Sequence, residues 1–228
     1  FENIVTSLNQ EPVKGDHYKK PKGYSSIRYE GISFTYRTRD DRPFFIGPLD
    51  ISFSANEIVS ITGCNGSGKS TLLHLITGMF PLDSGCCFLN DDKEIDIRLY
   101  RELFSPIFTN FHLFDRLYGM KEVDEVMLNK LLNRFGLEKK VQWTGDKFST
   151  LDLSTGQKKR LALVITIMED KPIYIFDEWA ADQDPHFRKY FYTTLLSEFR
   201  AQGKTVIAVT HDDKYFYIAD RILKLDYS

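Results

Sequence analysis

Two kinds of apolar pattern alternate along the chain. From Ser26 onward, Ile27 to Tyr29, Ile32 to Tyr36 and Leu49 to Phe53 interleave apolar with polar residues. That period-two pattern predicts an antiparallel sheet solvated on one side. Three later runs, Ile58 to Thr62, Ile173 to Phe176 and Val206 to Thr210, are short, mostly apolar and rich in β-branched residues. They predict strands buried on both faces, as in a parallel sheet covered by helices. Helical stretches separate them, notably Lys69 to Thr77, Gly156 to Met168 and His186 to Arg200. A middle block from about Leu99 to Thr155 has apolar residues at helical spacing: Val123, Val126, Met127, Leu131, Leu132 and Phe135. With the helix that follows it, this block is expected to form a helical subdomain over about 99–165. The expected fold over residues 25–228 is therefore α/β: a mainly parallel core sheet, an N-terminal antiparallel β-subdomain and an inserted helical subdomain.

Residues 1–24 read differently. Phe1, Ile4, Val5 and Leu8 fall at helical spacing and lead into Gln10-Glu11-Pro12 and a basic stretch from Lys14 to Lys22. This predicts a connector leading out of something larger, and with the opening at Phe1 the chain is expected to be an excised piece. Within the 228 residues no apolar run approaches the roughly 20 needed to span a bilayer. The formal net charge of -2 gives no sign of a nucleic-acid partner, which would call for a strongly basic face. The three cysteines, Cys64, Cys86 and Cys87, lack metal-ligand spacing and read as reduced thiols.

The chemistry sits where the buried runs end. Each leads into polar residues: Gly63 onward, Asp177-Glu178, and His211-Asp212. In open α/β sheets ligands bind at the carboxyl ends of the strands, so the three endings are expected to converge. Gly63-Cys64-Asn65-Gly66-Ser67-Gly68-Lys69-Ser70 fits the G-x-x-x-x-G-K-[ST] phosphate loop. Its glycines let backbone N–H groups turn inward around an anion, and the helix that follows adds unpaired N–H groups and a positive dipole end. The segment Gly63 to Thr71 (with Thr71 next after Ser70) is thus the expected site for ATP. Lys69 reaches the β- and γ-phosphates and Ser70 ligates Mg²⁺. Asp177 and Glu178 close an apolar strand, where two ionised groups are costly without a cation or a proton-transfer role. Asp177 is expected to hold Mg²⁺ through water, and Glu178 to polarise the attacking water as general base.

A further motif narrows the class. Leu153-Ser154-Thr155-Gly156-Gln157-Lys158-Lys159-Arg160 resembles the LSGGQ signature of ABC ATPases, with Thr155 in place of its first glycine. Ser154 and Gln157 also form a capping-box pattern at a helix start. The resemblance covers the chain from about Ser25 to its end. It implies that Ser154, Gly156 and Gln157 reach the γ-phosphate held by a second copy, so that two domains pair head to tail around two ATP molecules. It also implies that Tyr36 stacks on adenine, that Asp184 is the aspartate communicating between subunits, and that His211 contacts the γ-phosphate. At one position the pattern departs: the glutamine that approaches Mg²⁺ elsewhere in the class aligns with Thr109. A closer resemblance rests on Asp177-Glu178-Trp179-Ala180-Ala181-Asp182-Gln183-Asp184-Pro185, Phe187-Arg188, Phe191-Tyr192, Gly203-Lys204-Thr205-Val206, His211-Asp212-Asp213 and the block from Leu103 to Phe114. These residues are similar to the cyclic-peptide exporters of Gram-negative bacteria, typified by the syringomycin, pyoverdine-precursor and microcin exporters.

The family implies an exporter motor whose ATPase follows a six-helix membrane domain in the same chain. That places it at the cytoplasmic face of the bacterial inner membrane, acting on a peptide-like or siderophore-like substrate, with a homodimer as the expected assembly. A soluble ABC ATPase outside transport is the alternative reading. Proteins of that kind usually carry paired cassettes or long coiled-coil insertions, and this sequence shows neither.

Overall fold

The computed structural model describes residues 23–37, 43–90 and 93–226. The connector expected over 1–24 lies outside the described residues, save for its last two. The first layer is an antiparallel sheet in which β1 (Ser26–Arg37) pairs with β2 (Pro43–Ser54) on one side and β4 (Ser84–Leu89) on the other, with β5 (Lys93–Ile95) beyond. Ile27, Tyr29, Ile32 and Phe34 of β1 all face the core. Strict alternation from Ile27 would turn Ile32 outward, because strand side chains repeat every two residues. A register shift between Tyr29 and Ile32 restores the phase, as a bulge does, and Gly31 there takes φ +58°.

The second layer is a parallel sheet in the order β6-β7-β8-β3-β9: β6 (Phe104–Ile107), β7 (Ile173–Asp177), β8 (Thr205–Val209), β3 (Ile58–Gly63) and β9 (Arg221–Leu225). Strands β7 and β8 are buried at every position, and their side chains divide between two cores. Tyr174, Phe176, Val206 and Ala208 join a core with α2 (Glu125–Arg134), α3 (Thr155–Glu169) and the helical rod formed by α4 (Pro185–Tyr190), a π turn (Phe191–Leu195) and α5 (Leu196–Ala201). Ile173, Ile175, Ile207 and Val209 join the other core, with α1 (Lys69–Ile76) and the antiparallel sheet. Burial on both faces is why these strands read as unbroken apolar runs.

The middle block departs from its helical reading at the start. A 3₁₀ turn (Ile97–Leu103) leads into β6, whose Phe104 to Ile107 pair in parallel with Ile173 to Phe176. Pro106 fits there because β6 is the edge of the sheet and an edge strand tolerates a missing N–H. Helix α2 is present, capped by Asp124, whose carboxylate accepts from the Met127 N–H at 2.9 Å. It buries Leu128, Leu131 and Leu132, whereas Val126 and Met127, expected on the apolar face, are exposed. Among the described residues, no helix is long and apolar enough to cross a membrane.

Candidate active site

Strands β3, β7 and β8 lie side by side and parallel, so their carboxyl ends meet at one edge of the sheet. At the end of β3 the chain enters the phosphate loop. Gly63 takes φ +151°, and a Cβ there would sit 2.3 Å from the Leu225 carbonyl oxygen of β9. Only glycine fits that approach. Cys64, Asn65 and Gly66 are exposed at the turn, while Ser67, Gly68 and Lys69 are buried. The Lys69 ammonium folds back over the loop and donates to the carbonyls of Gly63 (2.9 Å) and Cys64 (2.8 Å). Gly68, at the N-cap of α1, supplies no side-chain cap. The first-turn N–H groups of α1, those of Lys69, Ser70 and Thr71, therefore remain available to an outside acceptor. An anion is the acceptor that both these groups and the helix dipole favour.

Asp177 ends β7 and is buried. Its Oδ2 accepts from the Ser70 hydroxyl at 3.0 Å and from the Thr109 N–H at 3.4 Å, and the Thr109 hydroxyl donates to the Asp177 carbonyl at 3.3 Å. The other carboxylate oxygen, Oδ1, is buried without a hydrogen-bond partner, as is the Ser67 hydroxyl. A buried orphan of this kind marks an absent partner. Oxygen donors from Ser70, Asp177 and Thr109 converge beside the loop, and such a hard donor set fits Mg²⁺. Thr109 is held there by its neighbour, since the Phe108 ring stacks on His74 of α1 with centroids 4.4 Å apart.

Glu178 follows in the left-handed region, at φ +49°. Its N–H donates to the Val209 carbonyl of β8 at 3.1 Å, and its Oε1 lies 3.2 Å from Nε2 of His211, two residues beyond β8. Both side chains are partly open to solvent.

The remaining expected residues fall into two groups. Tyr36 is half-buried among rings, 5.1 Å from Phe44. The Phe44 ring in turn abuts Gly68, 3.0 Å from where a Cβ would stand. Tyr36 is therefore one ring away from the phosphate loop. Ser154 caps α3 reciprocally with Gln157: the Ser154 N–H donates to Gln157 Oε1 at 3.1 Å, and the Gln157 N–H to Ser154 Oγ at 3.4 Å. Gly156 packs against the turn after β7, where its carbonyl accepts from Gln183 Nε2 at 3.1 Å. Asp184 caps α4 by accepting from the Phe187 N–H at 2.9 Å and is paired with Arg160, contacts that hold its carboxyl below the usual range. The structure thus joins Lys69, Ser70, Thr109 and Asp177 in one cluster and Glu178 with His211 in a second beside it. Ser154, Gly156, Gln157 and Asp184 group around the turn after β7.

Set against known proteins, residues 46–181 match the sequence model described as ABC transporter. The chain belongs to the ABC transporter family. It is an ABC ATP-binding and ATP-hydrolysing domain, with ATP and Mg²⁺ as its ligands. One relative, the ATP-binding protein SyrD of Pseudomonas syringae pv. syringae, is 43% identical over 214 residues, covering 90% of this chain and 37% of its own length. The chain thus spans little more than a third of that relative. Among solved structures, a bacterial Atm1-family ABC exporter with ATP bound superposes with a TM-score of 0.73 at 23% identity, covering 90% of this chain and 38% of that one. A dimeric post-hydrolysis ATP-binding cassette bound to ADP and Pi gives 0.71 at 23% identity, covering 88% and 94%. These last two establish that this domain has the ABC fold.

Two features of this ABC domain escaped the sequence reading. Lys159, inside the run Lys158-Lys159-Arg160, is buried, and Gln183 is buried against Gly156. A signal for Lys159 was present, because Leu163, four residues on, is apolar and shares its helix face.

Proposed function

We propose that this domain is the motor of an exporter, working as a homodimer joined to membrane helices at the cytoplasmic face of a bacterial inner membrane. The observation that carries the catalytic part is the convergence of Lys69, Ser70, Asp177, Thr109, Glu178 and His211 at the ends of four adjacent parallel strands, β6, β7, β8 and β3. In this reading Lys69 and the loop N–H groups hold the β- and γ-phosphates of ATP, and Tyr36 stacks on the adenine. Ser70 and Asp177 hold Mg²⁺, with Thr109 reaching it through water. When bound, Mg²⁺ neutralises charge that develops on the phosphate oxygens. Glu178 polarises the attacking water, and His211 steadies both the Glu178 carboxylate and the γ-phosphate. The capped start of α3, with Ser154, Gly156 and Gln157, faces the γ-phosphate of the second copy, and Asp184 links the two sites. The peptide-like or siderophore-like cargo is supported by the similarity to cyclic-peptide exporters and by the 43% identity to SyrD.

The test is Glu178→Gln, which removes the base and leaves the nucleotide-holding groups intact. With MgATP, static light scattering should report a stable dimer of this variant, and chelating Mg²⁺ should dissolve it. A Glu178→Gln protein that stays monomeric at saturating MgATP would contradict the paired site.

A further inference from the structure

A lysine in the middle of a basic run is ordinarily solvated, and Lys158 is indeed exposed. Its neighbour Lys159 is 2% exposed. An ammonium so deeply buried is costly unless it is paired and hydrogen-bonded. Lys159 has both kinds of partner, and both lie in the turn that follows β7. Its Nζ donates to the Glu178 carbonyl at 2.9 Å and lies 2.7 Å from Asp182 Oδ2. The carbonyl of Lys159 accepts from the Trp179 indole N–H at 2.9 Å, so the link between α3 and the turn is doubled. Trp179 is itself fixed among Phe176, Phe187 and Phe191.

The residue held this way is the one whose backbone most needs holding. Glu178 takes φ +49° and ψ +34°, a region sparsely populated by residues other than glycine and kept only where the surroundings over-determine it. Val209 accepts from its N–H on one side; on the other its C=O accepts from the Lys159 ammonium and, at 3.2 Å, from the Ala181 N–H within the turn. The backbone fixed between them aims the carboxylate at His211. We infer that Lys159 is a positioning residue for hydrolysis: from the interior of α3 it sets the orientation of Glu178 through the backbone, without touching substrate. This rests on the reading of Glu178 as general base.

The role predicts a split between rate and affinity. Lys159→Met should lower kcat for ATP by tenfold or more, toward the roughly 10²-fold cost of a misplaced catalytic group. KM should stay within about twofold, because the phosphate loop and Lys69 lie elsewhere. Lys159→Gln keeps an N–H donor for the Glu178 carbonyl and should recover part of the rate, and it carries the test if methionine disturbs the helix. The decisive comparison is with Glu178→Gln in the same assay. Residues that act as a unit are non-additive, so adding either Lys159 change to Glu178→Gln should slow turnover no further. An unchanged kcat in both Lys159 variants, or a loss that multiplies in full onto Glu178→Gln, overturns the inference while leaving Glu178 as base. Undiminished turnover in Glu178→Gln alone would instead overturn the base assignment on which it rests.

Discussion

Nε2 of His211 lies 3.2 Å from Oε1 of Glu178, although 33 residues separate them in the chain. The register explains the meeting: Asp177 of β7 pairs with Val209 of β8, and each functional side chain sits just beyond its own strand. A base at Glu178 oriented by His211 predicts an order of effects. Glu178→Gln should slow phosphate release by about 10²- to 10⁴-fold. His211→Ala, which removes one polar contact, should cost roughly 10²-fold and less than the glutamine change. The double variant should be no slower than Glu178→Gln alone. Steady-state phosphate release at saturating MgATP measures all three.

Gly156 has a specific steric reason to be glycine. A Cβ at this position would stand 2.8 Å from the Asp182 carbonyl oxygen, closer than carbon and oxygen can sit without moving backbone. Gly156→Ala should therefore push apart the start of α3 and the turn that carries Asp182 and Gln183. Turnover is expected to fall at least tenfold, within the roughly 10²-fold cost of misplaced groups. Binding of ATP to a single copy should be retained, because the phosphate loop is untouched. Equilibrium titration with a fluorescent ATP analogue, run beside the turnover assay, separates the two effects.

The family resemblance implies that Thr109 stands where a longer glutamine is found elsewhere, and here both its N–H and its hydroxyl reach Asp177. A threonine hydroxyl is shorter than a glutamine amide by about two heavy atoms, so its reach to a cation goes through water. Thr109→Ala should lower turnover by less than the roughly 10²-fold expected for losing a general base, with ATP affinity preserved. Asn110→Ala is the control and should leave both nearly unchanged. Impairment confined to the Asn110 variant would move the functional position by one residue.

The strands that position the site were legible for a physical reason. β3, β7 and β8 are buried on both faces, so their sequences carry mostly apolar runs, and chemistry-bearing polar residues appear where each run ends. The Ser154 capping box was equally readable, because both of its hydrogen bonds are local to four residues. What was hidden depends on distant partners. Phe104-Ser105-Pro106-Ile107 is too short, and its proline too atypical, to announce a strand, and only pairing with β7 makes it one. Val126 and Met127 satisfy helical spacing but lie outward, because the core takes Leu128, Leu131 and Leu132 instead. Lys159 looks solvated until the turn carrying Glu178 and Asp182 is folded over it.

The three thiols should differ sharply in reactivity. Cys64 is exposed in the phosphate loop, whereas Cys87 is buried. Burial pushes the Cys87 thiol up to about 12, and a hydrogen bond with Glu94 raises that of Cys86. The thiolate is the reactive form, so at pH 8 Cys86 and Cys87 remain protonated and slow to react. A short pulse of iodoacetamide followed by peptide mass spectrometry should find label on Cys64 first. MgATP should protect it, and the modified protein should lose ATP binding. Equal labelling of Cys64 with and without MgATP would place the nucleotide elsewhere.

We propose that two copies complete one another's sites: Ser154 and Gly156 begin α3 beside the turn after β7, whereas the phosphate loop follows β3. The most direct measurement is specific ATPase activity of the wild-type chain across a dilution series at saturating MgATP. Activity per molecule should rise with protein concentration and then level off as the dimer fills. Specific activity that stays constant down to concentrations where light scattering shows only monomer would rule out a site shared between two copies.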